Sequence, residues 1–224
     1  MTDFQKIQNS LDEEFKRKGY DVKDGILDNE CWEKSKLKIL YLLKEANDDF
    51  VDIRNTHIDI RHGNSKTFWW NVVFWKHALT AAFENPENLD SSLPDKSNIE
   101  EVKNNNYLLK DIAYVNIKKR NFNLPTSENV DISNYAKSDK ELLRQQIDLI
   151  NPNVVLCCGI THQFLRYKMF YENDILEQLG EYCYKHKNRL VIDFYHPACR
   201  KGYATYSLLY NDLAKNRVLN NFAQ

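Results

Sequence analysis

The chain has 224 residues, 42% hydrophobic and 28% charged, with a net charge of −1. That length suits one well-filled domain with insertions better than two domains. The near-neutral balance argues against a protein wrapped in nucleic acid over its whole surface, while leaving room for a local basic groove.

In chain order, Phe4, Ile7, Leu11 and Phe15 recur at helical spacing and predict an amphipathic opening helix that Gly19 ends. Leu37 to Leu43 is apolar without alternation and reads as a buried strand. A polar stretch runs to about Lys66, and the aromatic block Phe68-Trp69-Trp70 then opens a second helix reaching about Phe83. From about residue 84 to 106 the composition turns to Asn, Glu, Ser, Asp and Pro, the mark of a surface loop or insertion. The next strands are Ile112 to Ile117, Val154 to Gly159 and Leu190 to Tyr195. A polar loop to about Lys137 and a helix carrying Leu142, Leu143, Ile147 and Ile150, stopped at Asn151-Pro152, precede the third strand. A helix through Phe164 and Leu165 and a less regular segment near 175–179 precede the fourth; a last helix covers about 204–219. Continuous apolar strands alternating with helices predict a three-layer α/β/α sandwich around a mostly parallel four-stranded sheet, in one domain over residues 1–224.

The five cysteines carry no CxxC spacing, so no metal or cluster site is expected. Their odd number, the absence of a signal-peptide pattern after Met1 and the lack of a membrane-length apolar run lead us to expect a cytoplasmic protein.

Val191 to Pro197 is the most informative stretch, because a β-branched and aromatic strand delivers His196 into a proline-stiffened turn. Ligands of open α/β sheets sit beyond the carboxyl ends of the strands, where a histidine serves either structure or chemistry. Three other strand ends carry Lys44-Glu45-Ala46-Asn47-Asp48, Asn116 and Gly159, and Phe68 opens the intervening helix.

In this order the runs Lys44 to Asn47, Gly63 to Trp69, Tyr114 to Arg120, Gln145 to Gly159 and Tyr195 to Ala198 resemble the uracil-DNA glycosylase superfamily. The nearest branch is the one whose first motif is Gly-Glu-Ala-Pro-Gly. The resemblance implies a DNA glycosylase that hydrolyses the N-glycosidic bond of uracil or a related base, with DNA as partner and no cofactor. The cysteines that hold an iron–sulfur cluster in that branch are missing here. It implies Glu45 and His196 as catalytic groups, and Phe68, Asn116, Ala46, Asn47 and Gly159 around the base. Trp69 competes with Phe68 as the stacking platform, and Asp48 is a second carboxylate beside Glu45.

Each expected role has a physical basis. A duplex hides the target atom, so the base must leave the stack and find an aromatic face. A carboxamide offers a donor and an acceptor to a uracil-like edge. A donor on the base oxygen stabilises the departing negative charge, and a carboxylate near the sugar stabilises the positive centre or orients water. Lys118, Lys119, Arg120, Arg200, Lys201 and Tyr203 are the candidate DNA contacts, with Arg200 or Tyr203 where the family carries an apolar wedge. The departures fall in the first motif, where Lys44, Asn47 and Asp48 replace Gly, Pro and Gly. They motivate an alternative, a fold member that binds a base or nucleic acid without cleaving it; a protein-interaction module is a third.

Overall fold

The computed structural model describes residues 2–20, 22–46, 52–55, 66–84, 109–119, 127–201 and 203–215. The opening helix α1 (Asp3–Arg17) begins with reciprocal capping: the Thr2 hydroxyl accepts from the Gln5 amide at 3.2 Å, and the Gln5 side chain accepts from the Thr2 amide at 2.8 Å. Gly19, at φ +81°, supplies the left-handed turn that ends it. A short helix α2 (Asn29–Lys34), capped by Asp28, leads into strand β1 (Ile39–Glu45). Helix α3 (Lys66–Glu84) follows, then β2 (Ile112–Lys118), α4 (Asn129–Ser138), α5 (Lys140–Ile150) and β3 (Val154–Cys158). The order closes with α6 (His162–Phe170), β4 (Glu177–Gln178), β5 (Cys183–His186), β6 (Arg189–Phe194) and α7 (Tyr203–Lys215).

The strands form one sheet of order β2-β1-β3-β6-β5-β4. β2, β1, β3 and β6 are parallel, whereas β5 and β4 add antiparallel beyond β6. The α/β class agrees with the sequence reading, but the expected four-stranded sheet is corrected to a mixed one of six. The extra strands come from the irregular 175–186 region, whose short, half-polar segments carry too few apolar residues to announce a strand. A second correction is α4, which occupies what reads as a polar loop; it buries only Ile132 and Ala136, spaced four apart.

Helices cover both faces of the sheet, each with its own apolar layer. On one face Tyr41, Tyr114, Leu156 and Ile192 pack against Trp75 and Leu79 of α3 and Leu209 of α7. On the other, Leu40, Val115, Val155 and Val191 meet Phe15 of α1, Ile147 of α5 and Tyr167 of α6. Polar ties register the layers: the Tyr41 hydroxyl donates to the Val72 carbonyl at 2.9 Å, and the Trp75 indole donates to Thr205 at 3.0 Å. Parallel pairing brings the carboxyl ends of β1, β2, β3 and β6 to the same edge of the sheet. No helix among the described residues is long and apolar enough to cross a membrane. The polar insertion at 84–106 lies, beyond Glu84, outside the described residues.

Candidate functional site

The first turn of α3 and the loop after β6 meet above the carboxyl edge of the sheet. Phe68 is half-buried there, its ring at 27° to Tyr114 with centroids 6.3 Å apart. The edge of Trp69 closes on both rings, at 4.9 Å from Phe68 and 5.5 Å from Tyr114. Trp69 is buried, whereas Phe68 is half-buried, so of the two rings Phe68 is the more exposed. The His196 imidazole lies 6.0 Å from the Phe68 ring at an angle of 60°. Asn71, one turn along α3, fastens the histidine loop by donating to the carbonyls of Pro197 at 2.6 Å and Cys199 at 2.8 Å. Phe68 and the His196 imidazole therefore ride on one clamped assembly.

Two facts set the protonation of His196. Burial pushes its pKa below the usual 6.5, Lys44 pushes it further, and Glu45 opposes them without prevailing. The ring is therefore neutral near pH 7. Its Nδ1 accepts the Ala198 amide hydrogen at 3.2 Å, which leaves the single ring proton on Nε2. The result is an uncharged N–H donor at a strand end.

Glu45 ends β1 with both oxygens engaged. Oε2 takes Lys118 Nζ at 3.1 Å and Oε1 takes the Ser127 amide at 2.9 Å. Lys118 also donates to the Ser127 hydroxyl at 2.5 Å, and Lys44 to the Ser127 carbonyl. Burial alone would raise the Glu45 pKa, but the Ser127 and Lys118 hydrogen bonds outweigh it and hold the carboxyl below its ordinary range. Ala46 continues the strand by donating its amide to the Lys118 carbonyl at 3.3 Å.

Asn116 lies on β2 between Tyr114 and Lys118. Asp24 accepts from its backbone amide at 2.7 Å and from its Nδ2 at 3.1 Å. A carboxylate can only accept, so it orients the carboxamide with nitrogen toward Asp24 and Oδ1 away. The same carboxylate takes Lys119 Nζ at 2.5 Å and Gln146 Nε2 at 3.0 Å.

The structure thus gathers Phe68, His196 and the Lys44–Glu45 end of β1, and places Asn116 one strand over from Leu43. Gly159 sits where β3 stops; its amide donates to the Phe194 carbonyl at 2.9 Å, and its bare Cα faces the Gln163 side chain. Lys118 and Lys119 depart from their expected role as DNA contacts: both are buried, at 7% and 1% exposure, and their charges answer Glu45 and Asp24. Arg200 and Lys201 are exposed, and Lys201 Nζ lies 4.5 Å from the Tyr195 ring. Asn47, Asp48, Arg120 and the Tyr203 side chain lie outside the described residues.

Sequence reasoning missed Asn71, Asp24 and Ser127. Each acts across a long stretch of chain with no local motif to mark it. Tyr114 was nearer to hand, lying on the Phe68 face two residues before Asn116. Among known proteins, no family model and no curated protein matches the chain.

Proposed function

We propose that the protein is a DNA glycosylase that hydrolyses the N-glycosidic bond of uracil or a related modified base, with a uracil-DNA glycosylase-like fold. The observation that carries this reading is the neutral His196 imidazole, its proton on Nε2, with its ring centroid 6.0 Å from that of the half-buried Phe68. A flipped base stacks on Phe68, which offsets part of its unstacking. As the bond to the sugar breaks, its electron pair leaves with the base, and Nε2–H donates to the base oxygen where that charge collects. A neutral donor does this without transferring its proton, and its orientation is already fixed. Water then forms the new bond to the anomeric carbon and yields a proton to the departing base. Asn116, held by Asp24, presents Oδ1 to an imide N–H of the base. Exposed Arg200 and Lys201 supply cations for backbone phosphates.

The clasped Glu45 favours a second reading. With both oxygens engaged, it offers a fixed charge rather than a ready proton acceptor. A pocket that binds the base without cleaving would look the same at Phe68 and His196. One experiment separates them: incubate the protein with oligonucleotides carrying uracil, hypoxanthine or hydroxymethyluracil, and measure free base and binding together. Base release that His196→Ala and Asn116→Ala abolish supports the enzyme. Tight binding with every substrate intact supports the binder, and no affinity even at low salt removes both.

A further inference from the structure

Three lysines stand where β1 and β2 reach the carboxyl edge of the sheet, and two of them are committed. Lys118 and Lys119 are buried and face the carboxylates of Glu45 and Asp24 at 3.1 and 2.5 Å. Lys44 differs. It is half-buried, its Nζ donates to the Ser127 carbonyl, and among the described residues it makes no salt bridge. A carbonyl only accepts, so this bond holds the nitrogen without occupying the lone pair that a neutral amine carries. Burial and the Lys44 charge together lower the pKa of His196, and the next residue, Glu45, is a carboxylate with both oxygens clasped. Ser127 ties the group together: its carbonyl takes Lys44, its amide gives to Glu45 and its hydroxyl accepts from Lys118. The edge therefore presents one amine without an ion pair beside one carboxylate that is no ready proton acceptor.

We propose that Lys44 gives the protein a second activity, an abasic-site lyase that cuts the DNA strand where a base has been removed. This rests on the base-pocket reading above and acts on the product of that reaction. Hydrolysis leaves a deoxyribose whose ring-opened form carries an aldehyde at C1′. The neutral amine of Lys44 adds to that carbon, and water leaves as the imine forms. Once protonated, the imine draws electrons from C2′, which gives up a proton to water. The electron pair of that C–H bond forms the C2′–C3′ double bond, and the C3′–O bond breaks with its pair leaving on the 3′ phosphate. Water then adds to the imine, releases the unsaturated aldehyde and restores the amine. No oxidant or reductant is consumed. Glu45, held ionised by its Ser127 and Lys118 hydrogen bonds, suits the iminium, because a fixed negative charge stabilises it without competing for its proton.

The test uses oligonucleotides carrying uracil, a preformed aldehydic abasic site, or tetrahydrofuran, an abasic analogue with no aldehyde. Sodium borohydride reduces an imine to a stable amine, so it captures the intermediate as a protein–DNA adduct. On the aldehydic site the wild-type protein should form the adduct, peptide mapping should place it on Lys44, and without borohydride the strand should break. Lys44→Arg keeps the charge and a donor for Ser127 but forms no imine, so adduct and breakage should each fall at least tenfold. Tetrahydrofuran DNA should stay whole. No adduct, an adduct mapped to another amine, an adduct without strand breakage, a smaller loss in Lys44→Arg, or breakage at tetrahydrofuran would each overturn the proposal. Mapping on the wild-type protein needs no variant, so it decides even where Lys44→Arg folds poorly. Uracil DNA left intact beside cleavage at the preformed site would end the glycosylase reading alone and leave the lyase standing.

Discussion

At the scale of single residues, the state of His196 decides what the site can do. A buried imidazole beside Lys44 resists protonation, and a ring whose Nδ1 already accepts a hydrogen bond carries its proton on Nε2. Removing one such preorganised donor costs about 10²–10³ in rate, so single-turnover base release by His196→Ala should fall by that order. The pH dependence follows in sign. Because the folded value lies below the ordinary 6.5, protonation favours the unfolded chain. The stability this group contributes is complete above 6.5 and is lost as pH falls from there toward the folded value. Base release should lose half its rate only below pH 6.5. A rate profile halved at or above pH 6.5 would contradict it. Phe68→Ala should weaken binding of a flipped base by about 1–3 kcal/mol, read as the affinity for a uracil oligonucleotide.

At the scale of elements, the edge of β2 depends on one carboxylate. Asp24 faces the buried Lys119 charge and also takes hydrogen bonds from Asn116 and Gln146. Asp24→Ala leaves a lysine unpaired in the interior and strands the neutral donors, which should cost about 3–5 kcal/mol in urea denaturation. Lys119→Met should cost less, because the carboxylate keeps its hydrogen bonds from Asn116 and Gln146. The same elements show what a sequence can and cannot disclose. β1, β2, β3, β6 and α3 were legible because unbroken apolar runs bury on both sides or along a long face. β4 and β5 were not, since they have only two and four residues, β4 exposed and β5 half-polar. Lys118 and Lys119 misled for a related reason. Adjacent lysines suggest a solvated cluster, and only the remote Glu45 and Asp24 turn them inward.

For the whole molecule, the parallel core is the stable unit and the antiparallel pair an addition to it. Hydrogen exchange should therefore be slowest in β1 and β3, flanked on both sides, and fast in the two-residue β4 at the sheet's end. Equal protection across all six strands would contradict that ranking. The strand ends carrying His196, Gly159 and Glu45 were readable as a series because parallel order alone sends them to one edge. The clamp from Asn71 to the histidine loop, 126 residues away in sequence, was not readable, since nothing local to either segment specifies it.

The candidate site is tested most directly by nitrogen NMR of His196 during titration with free uracil. The expected result is an imidazole neutral with its proton on Nε2 at pH 7, half-protonated only below pH 6.5, and resonances of His196 and Phe68 that move together as uracil is added. A ring protonated at pH 7, a proton on Nδ1, or uracil that shifts neither residue would contradict it.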